Sequence, residues 1–128
     1  MIALSEEQYF LARQYMDLLE TVEEAFKYIK ESFNNLSYTE GDRLLSDIFH
    51  AFTQMINTNF VLAEYFKEQT SVLNSLVRFE AVVEKAEMLD GKFNDQNAKQ
   101  KIILEDIHPA YSSWKLIVEQ QLKPFIQV

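Results

Sequence analysis

Two carboxylate–histidine pairs are the residues best spaced for chemistry: Asp47-x-x-His50 and Glu105-x-x-His108. A separation of three puts both side chains of a pair on one helical face, about a turn apart, where they could ligate a common metal ion. The chain has two His and no Cys. Thiolate nucleophiles, disulfides and Cys-ligated metals are therefore excluded, and any metal site would need these histidines or carboxylates alone. His50, in the middle of a helical stretch, could also accept a phosphoryl group. No Ser/His/Asp grouping, Gly-rich phosphate loop or HExxH motif is present, so an enzyme is not expected.

Where these pairs point depends on the helices that carry them. Only two Gly and two Pro punctuate 128 residues, of which 48% are hydrophobic. That composition favours a single domain, residues 1–128, built from long helices. Ser5-Glu6-Glu7-Gln8 is a capping box that opens the first helix. Its apolar stripe runs through Ala12, Tyr15, Leu19, Val22, Phe26, Ile29 and Phe33, and Asn34-Asn35 close it. Ser37-Tyr38-Thr39-Glu40 offers a second capping box, and Leu45, Ile48, Phe52, Met55, Leu62 and Phe66 recur at helical spacing after it. The next stripe (Val72, Leu76, Phe79, Val83, Ala86) is out of phase with that one. The chain must therefore break near Lys67–Thr70, with Thr70 or Ser71 as N-cap. The third helix ends at Asp90-Gly91. Asn94-Asp95 cap a fourth, with Phe93 as a hydrophobic staple. Its stripe (Ile103, Ile107, Ala110, Trp114, Ile117, Gln121, Phe125) keeps its phase across Pro109, which predicts a kink there. The expected architecture is all-α: an up-down-up-down four-helix bundle with a Pro-kinked fourth helix.

The ligand spacing resembles that of the ferritin-like di-iron bundles, which place Glu-x-x-His on two helices and a Glu on each of the others. The helical wheel opposes that resemblance. His50 and Asp47 lie roughly 180° and 120° from the apolar centre of their helix, and Glu105 and His108 roughly 170° and 110° from theirs. Such ligands must point inward. The expectation is therefore surface histidines, no cofactor and no metal, with Glu105 and His108 as metal candidates only if Pro109 re-aims them. His50 is also similar in position to the nucleophile of histidine phosphotransfer domains. Those carry Lys-Gly in the following turn, where this chain has Ala51-Phe52-Thr53-Gln54.

The formal net charge is −8, from 12 basic and 20 acidic residues. The basic residues are scattered among acids, so no nucleic-acid partner is expected. No apolar run approaches the roughly 18 residues of a membrane span. The opening Met1–Phe10 lacks the features of a signal peptide. No membrane association is expected, and the expected location is cytoplasmic.

The apolar surplus on the second helix carries the functional reading. Phe49, Thr53, Ile56 and Phe60 form another stripe, roughly 80–100° from the first. Phe10 and Tyr28 likewise lie off the core face of the first helix. A contiguous apolar patch of this kind marks a contact surface. Asn59 and Gln121 fall on core faces, where a buried amide fixes register or oligomeric state. In size and architecture the chain resembles the small acidic bundles that serve as bacterial export or flagellar chaperones. The leading expectation is a non-enzymatic, adaptor- or chaperone-like protein–protein interaction module, pairing with itself as a homodimer or with a helical partner through the Phe49/Ile56/Phe60 side. The alternative is a metal or small-ligand site near Pro109, using Glu105, His108, Tyr111 or Trp114.

Overall fold

The computed structural model describes residues 3–35 and 41–126. These form an all-α bundle of four helical rods, with no strand among the described residues. The first rod is α1 (Glu6–Ser32), and it begins as its sequence requires. Ser5 Oγ accepts the Gln8 N–H at 3.2 Å while the Ser5 N–H donates to Gln8 Oε1 at 2.9 Å. Two of the donors that a helix start leaves unpaired are thereby satisfied. The second rod is α2 (Gly41–Tyr65). The capping box expected at residues 37–40 lies outside the described residues.

The third rod is two helices in series, α3 (Thr70–Val77) and α4 (Phe79–Glu87). Neither Thr70 nor Ser71 caps it. Gln69 takes the cap position, with no side-chain bond, because its carbonyl already accepts the Leu73 N–H at 3.1 Å. The interruption at Arg78 keeps near-helical angles (φ −62, ψ −14). It falls where the Ser75 carbonyl accepts the Trp114 indole N–H at 2.8 Å. Helix α4 ends at Glu87, earlier than Asp90-Gly91, and Gly91 then turns the chain at φ 75.

The fourth rod is α5 (Gln96–Ile102), a π-helical turn (Ile103–Ile107) and α6 (His108–Ile126). Asp95 caps α5, its carboxylate accepting the Ala98 N–H at 3.1 Å. The His108 N–H donates to the Ile103 carbonyl, five residues back. This wider turn stands directly before Pro109, whose ring would crowd the carbonyl four residues earlier in a regular α-helix. It also moves the apolar stripe. Beyond Pro109 the buried apolar residues are Tyr111, Trp114, Val118, Leu122 and Ile126, of which Trp114 alone belongs to the expected stripe. The expected Ala110, Ile117, Gln121 and Phe125 are half-buried at the flank. The stripe does not keep its phase, because a π turn inserts about one residue and rotates the rest of the helix by roughly 100°.

The core centres on rings from every rod: Phe26 of α1, Phe52 of α2, Phe79 of α4, and Tyr111 and Trp114 of α6. Phe52 meets Phe79 edge-on at 5.2 Å, and Phe79 lies 4.5 Å from Trp114. Phe26 and Phe52 sit 5.4 and 5.8 Å from Tyr111. Such pairs add about 0.5–1.5 kcal/mol each beyond their burial. The Tyr111 hydroxyl donates to the Leu19 carbonyl at 2.7 Å, so its polar atom is satisfied in the dry interior. Among the described residues, no helix is long and apolar enough to cross a membrane.

Candidate interaction surface

Helix α2 buries Leu45, Ile48, Ala51, Phe52, Met55 and Leu62. Its second stripe lies beside these, facing α3 and α4. Phe49 is half-buried against Phe52 at 6.1 Å, whereas Ile56 is 37% and Phe60 74% exposed. Across from them stand Leu73, Leu76, Val77, Phe79 and Val83, enclosing an open groove of about 600 Å³. Leu76 and Phe79 are core residues and form its floor, while Val77, 63% exposed, belongs to the opposite wall. The rim is acidic: Glu80, Glu84 and Glu87 line the groove, and no Lys, Arg or His does. Two smaller depressions extend it. One, of about 260 Å³, shares Ile56, Val83 and Glu87 with the groove and reaches Phe49, Asp90 and Phe93. The other, of about 410 Å³, shares Phe49 and Phe93 and reaches Asp42, Leu45 and Lys99. Phe10 (62% exposed) and the half-buried Tyr28 line none of the three.

Neither Asn59 nor Gln121 is a buried amide; both are half-buried. Asn59 sits at the groove, its Oδ1 accepting the Tyr15 hydroxyl at 2.6 Å, and so links α1 to the groove floor. An unshifted stripe would carry Gln121 into the core, and the π turn moves it to the flank. Among the described residues, the buried polar side chains are Ser75, Lys99 and Lys115. The Lys99 ammonium pairs with Asp42 at 3.0 Å. Lys115 is held between Glu20 (2.9 Å) and Glu119 (3.0 Å). Burial alone would lower its pKa, but the hydrogen bonds it donates to the two glutamates, with their charges, outweigh that and push it up. The hydrogen bond from Lys115, with its charge, pulls the Glu20 carboxyl down. Burial pushes the phenols of Tyr15 and Tyr111 far up.

The metal candidates separate. Glu105, His50 and Asp47 are exposed. His108 is not a surface histidine: its ring stacks on Phe26 at 4.9 Å, and its Nε2 lies 3.0 Å from Glu23 Oε1. The rotation by the π turn brings it to face α1. Ser112 Oγ donates to both oxygens of the same carboxylate, at 2.9 and 3.0 Å. This Glu23–His108–Ser112 group was not legible in the sequence, because Glu23 lies 85 and 89 residues from its two partners. The carboxylate stands at its centre and accepts from both partners. The serine hydroxyl is thus directed at the acid and not at the ring, and the group clamps α6 to α1. Among the described residues, no group of three or more His, Asp or Glu is placed to hold a metal. Tyr111 and Trp114 are locked in the core by their bonds to Leu19 and Ser75.

Fold and surface together define an all-α four-helix bundle with an apolar, acid-rimmed groove between its second and third rods. Within that class, the chain belongs to the family described as a domain of unknown function, DUF8042, whose model matches residues 11–117. It is also similar to YvzG, an uncharacterized protein of Bacillus subtilis (strain 168), at 28% identity over 122 residues, 95% of this chain and 97% of YvzG. No solved structure matches the chain.

Proposed function

We propose that this chain is a non-enzymatic, cytoplasmic interaction module that holds a helical segment of a protein partner along the seam between α2 and the α3/α4 rod. The observation that carries the reading is the groove of about 600 Å³, whose floor is packed core and whose walls keep Phe60 and Val77 in solvent. Apolar side chains of that size in one concave strip are what a helix-in-groove contact uses as anchors. The rods on this reading run up-down-up-down, with the fourth bent at the π turn before Pro109. In support, Tyr15 of α1 meets Asn59 in the later half of α2, and across α1 and α6 Glu20 meets Lys115 while the later Glu23 meets the earlier His108.

The test is Phe60→Asp. Phe60 is 74% exposed, so helicity and melting temperature are expected to stay within error of the wild type. A discrete partner retained by the immobilised wild-type chain is expected to be lost, since burying an aspartate in an apolar contact costs more than about 2 kcal/mol. A fall in helicity would place Phe60 in the core. Undiminished retention of the same partner would remove the seam from the interaction.

A further inference from the structure

Resting on the docking reading above, the chemistry of the occupant can be named. We infer that the seam takes a basic amphipathic helix of a different polypeptide, its apolar face on Ile56, Phe60 and Val77 and its cationic edge along Glu80, Glu84 and Glu87. Three observations converge on that occupant.

Length is the first. The three adjoining depressions follow α2 from Asp42 to Ala63. At 1.5 Å per residue this is about 32 Å, room for a helix of about eighteen residues or slightly more. Shape is the second. The groove is open to solvent along its length and floored by buried Leu76 and Phe79, which suits a rod laid in from the side and not an enclosed small molecule. Charge is the third and decides the partner. The lining of the seam holds five carboxylates: Asp42, Glu80, Glu84, Glu87 and Asp90. Against them stands one cation, Lys99, which is buried and already paired with Asp42. Arg78 and Lys85, on the same rod as the glutamates, are exposed and lie outside the lining. A second copy of the chain would press the same carboxylates together, each copy carrying a net charge of −8. Like charges so placed repel, whereas a helix with Lys or Arg beside its apolar stripe pairs with the rim.

The experiment uses the full chain and two amidated eighteen-residue peptides with the same leucines at helical spacing. One has Lys at the flanking positions and the other Glu. Binding is read by fluorescence anisotropy over a salt series. The Lys peptide is expected to bind at least about tenfold tighter than the Glu peptide at low salt, as three rim pairs imply, and to lose that margin as salt rises. Phe60→Asp is expected to abolish binding although it adds a negative charge. The triple change Glu80→Gln, Glu84→Gln and Glu87→Gln is expected to narrow the difference between the peptides.

Equal binding of both peptides, lost in Phe60→Asp, would overturn the basic partner and leave the docking seam standing. Binding of the Lys peptide unchanged in Phe60→Asp would assign it to charge elsewhere and overturn both. Binding of neither peptide would overturn the basic helix. A dimer seen by light scattering and dissolved by Phe60→Asp would give the seam to a second copy and overturn the inference likewise.

Discussion

Truncation of Glu23 to alanine tests whether the clamp between α1 and α6 contributes to stability. The carboxylate accepts from His108 Nε2 at 3.0 Å and from Ser112 Oγ at 2.9 and 3.0 Å. Its side chain is 12% exposed and that of His108 16%. A hydrogen bond to a charged acceptor contributes about 1.5–3 kcal/mol. Two donors would together account for about 3–6 kcal/mol, but water reaches this edge and replaces much of it. A loss of about 2 kcal/mol is expected in urea denaturation, or a melting temperature lower by about 8 °C for a chain of this size. Glu23→Gln keeps one acceptor oxygen and is expected to cost about half as much. Combining Glu23→Ala with His108→Ala is expected to show a coupling of about 1 kcal/mol. A Glu23→Ala chain within about 0.5 kcal/mol of the wild type, or zero coupling, would refute the reasoning.

Stability is also expected to depend on pH in a defined way. The groups pushed up (Tyr15, Tyr111, Lys115) stabilise fully below their ordinary values of 10.0 and 10.5, and that contribution is lost as pH rises beyond them. Glu20, pulled down, stabilises fully above its ordinary 4.5, and its contribution is lost as pH falls. The urea midpoint should thus be level between about pH 6 and pH 9 and fall steeply above about pH 10; a level midpoint through pH 11 would contradict the burial of the phenols. Lys99→Met replaces a lysine that is 5% exposed with an apolar chain of similar length and is expected to change stability by less than about 1 kcal/mol. A loss above about 3 kcal/mol would mean that the Asp42 pair itself holds the fourth rod in place. Gly91→Ala meets no atom within 4 Å but keeps φ at +75, so a loss of about 1 kcal/mol from backbone strain alone is expected.

The all-α class was legible because one physical signal, apolar residues at spacings of three and four, runs through each rod. The first helix is the clearest case: Ser5 and Gln8 cap it and six of the seven expected core residues are buried. Misreadings cluster where side chains act on the backbone from far away in sequence. Trp114 reaches the Ser75 carbonyl, and the third rod is interrupted three residues on, at Arg78. Pro109 is visible in the sequence as a disruption, but periodicity alone does not say that the turn before it will widen. It is absorbed as a π turn, and a fixed period slips by one residue beyond it. That period points to Ala110 where Tyr111 is buried, and to Gln121 where Leu122 is. The same slip hides His108, whose stacking on Phe26 requires the rotated phase. The apolar surplus on α2 was visible as a second stripe. The opposing wall was not, since Val77 and the Glu80/Glu84/Glu87 row belong to another rod and acquire meaning only when the rods are packed.

That packing explains why the groove can stand open without destabilising the bundle. The ring cluster of Phe26, Phe52, Phe79, Tyr111 and Trp114 draws on all four rods and needs nothing from Phe60 or Val77. Phe79 is held from behind by Trp114 at 4.5 Å and from the side by Phe52 at 5.2 Å. Trp114 is in turn pinned to Ser75, immediately before Leu76 in the groove floor. The floor is therefore stiff while the walls are wet. A partner helix meeting such a surface orders few protein groups on arrival, so more of the apolar burial is available as affinity than on a surface that must first assemble. The cost to the free protein is an exposed phenylalanine and valine, and on the proposed reading the carboxylates beside them would repel the same strip of a second copy. The acidic rim would thus have two roles. On the proposed reading it would set the sign of the partner's charge, and it would disfavour a second copy of the chain in the seam.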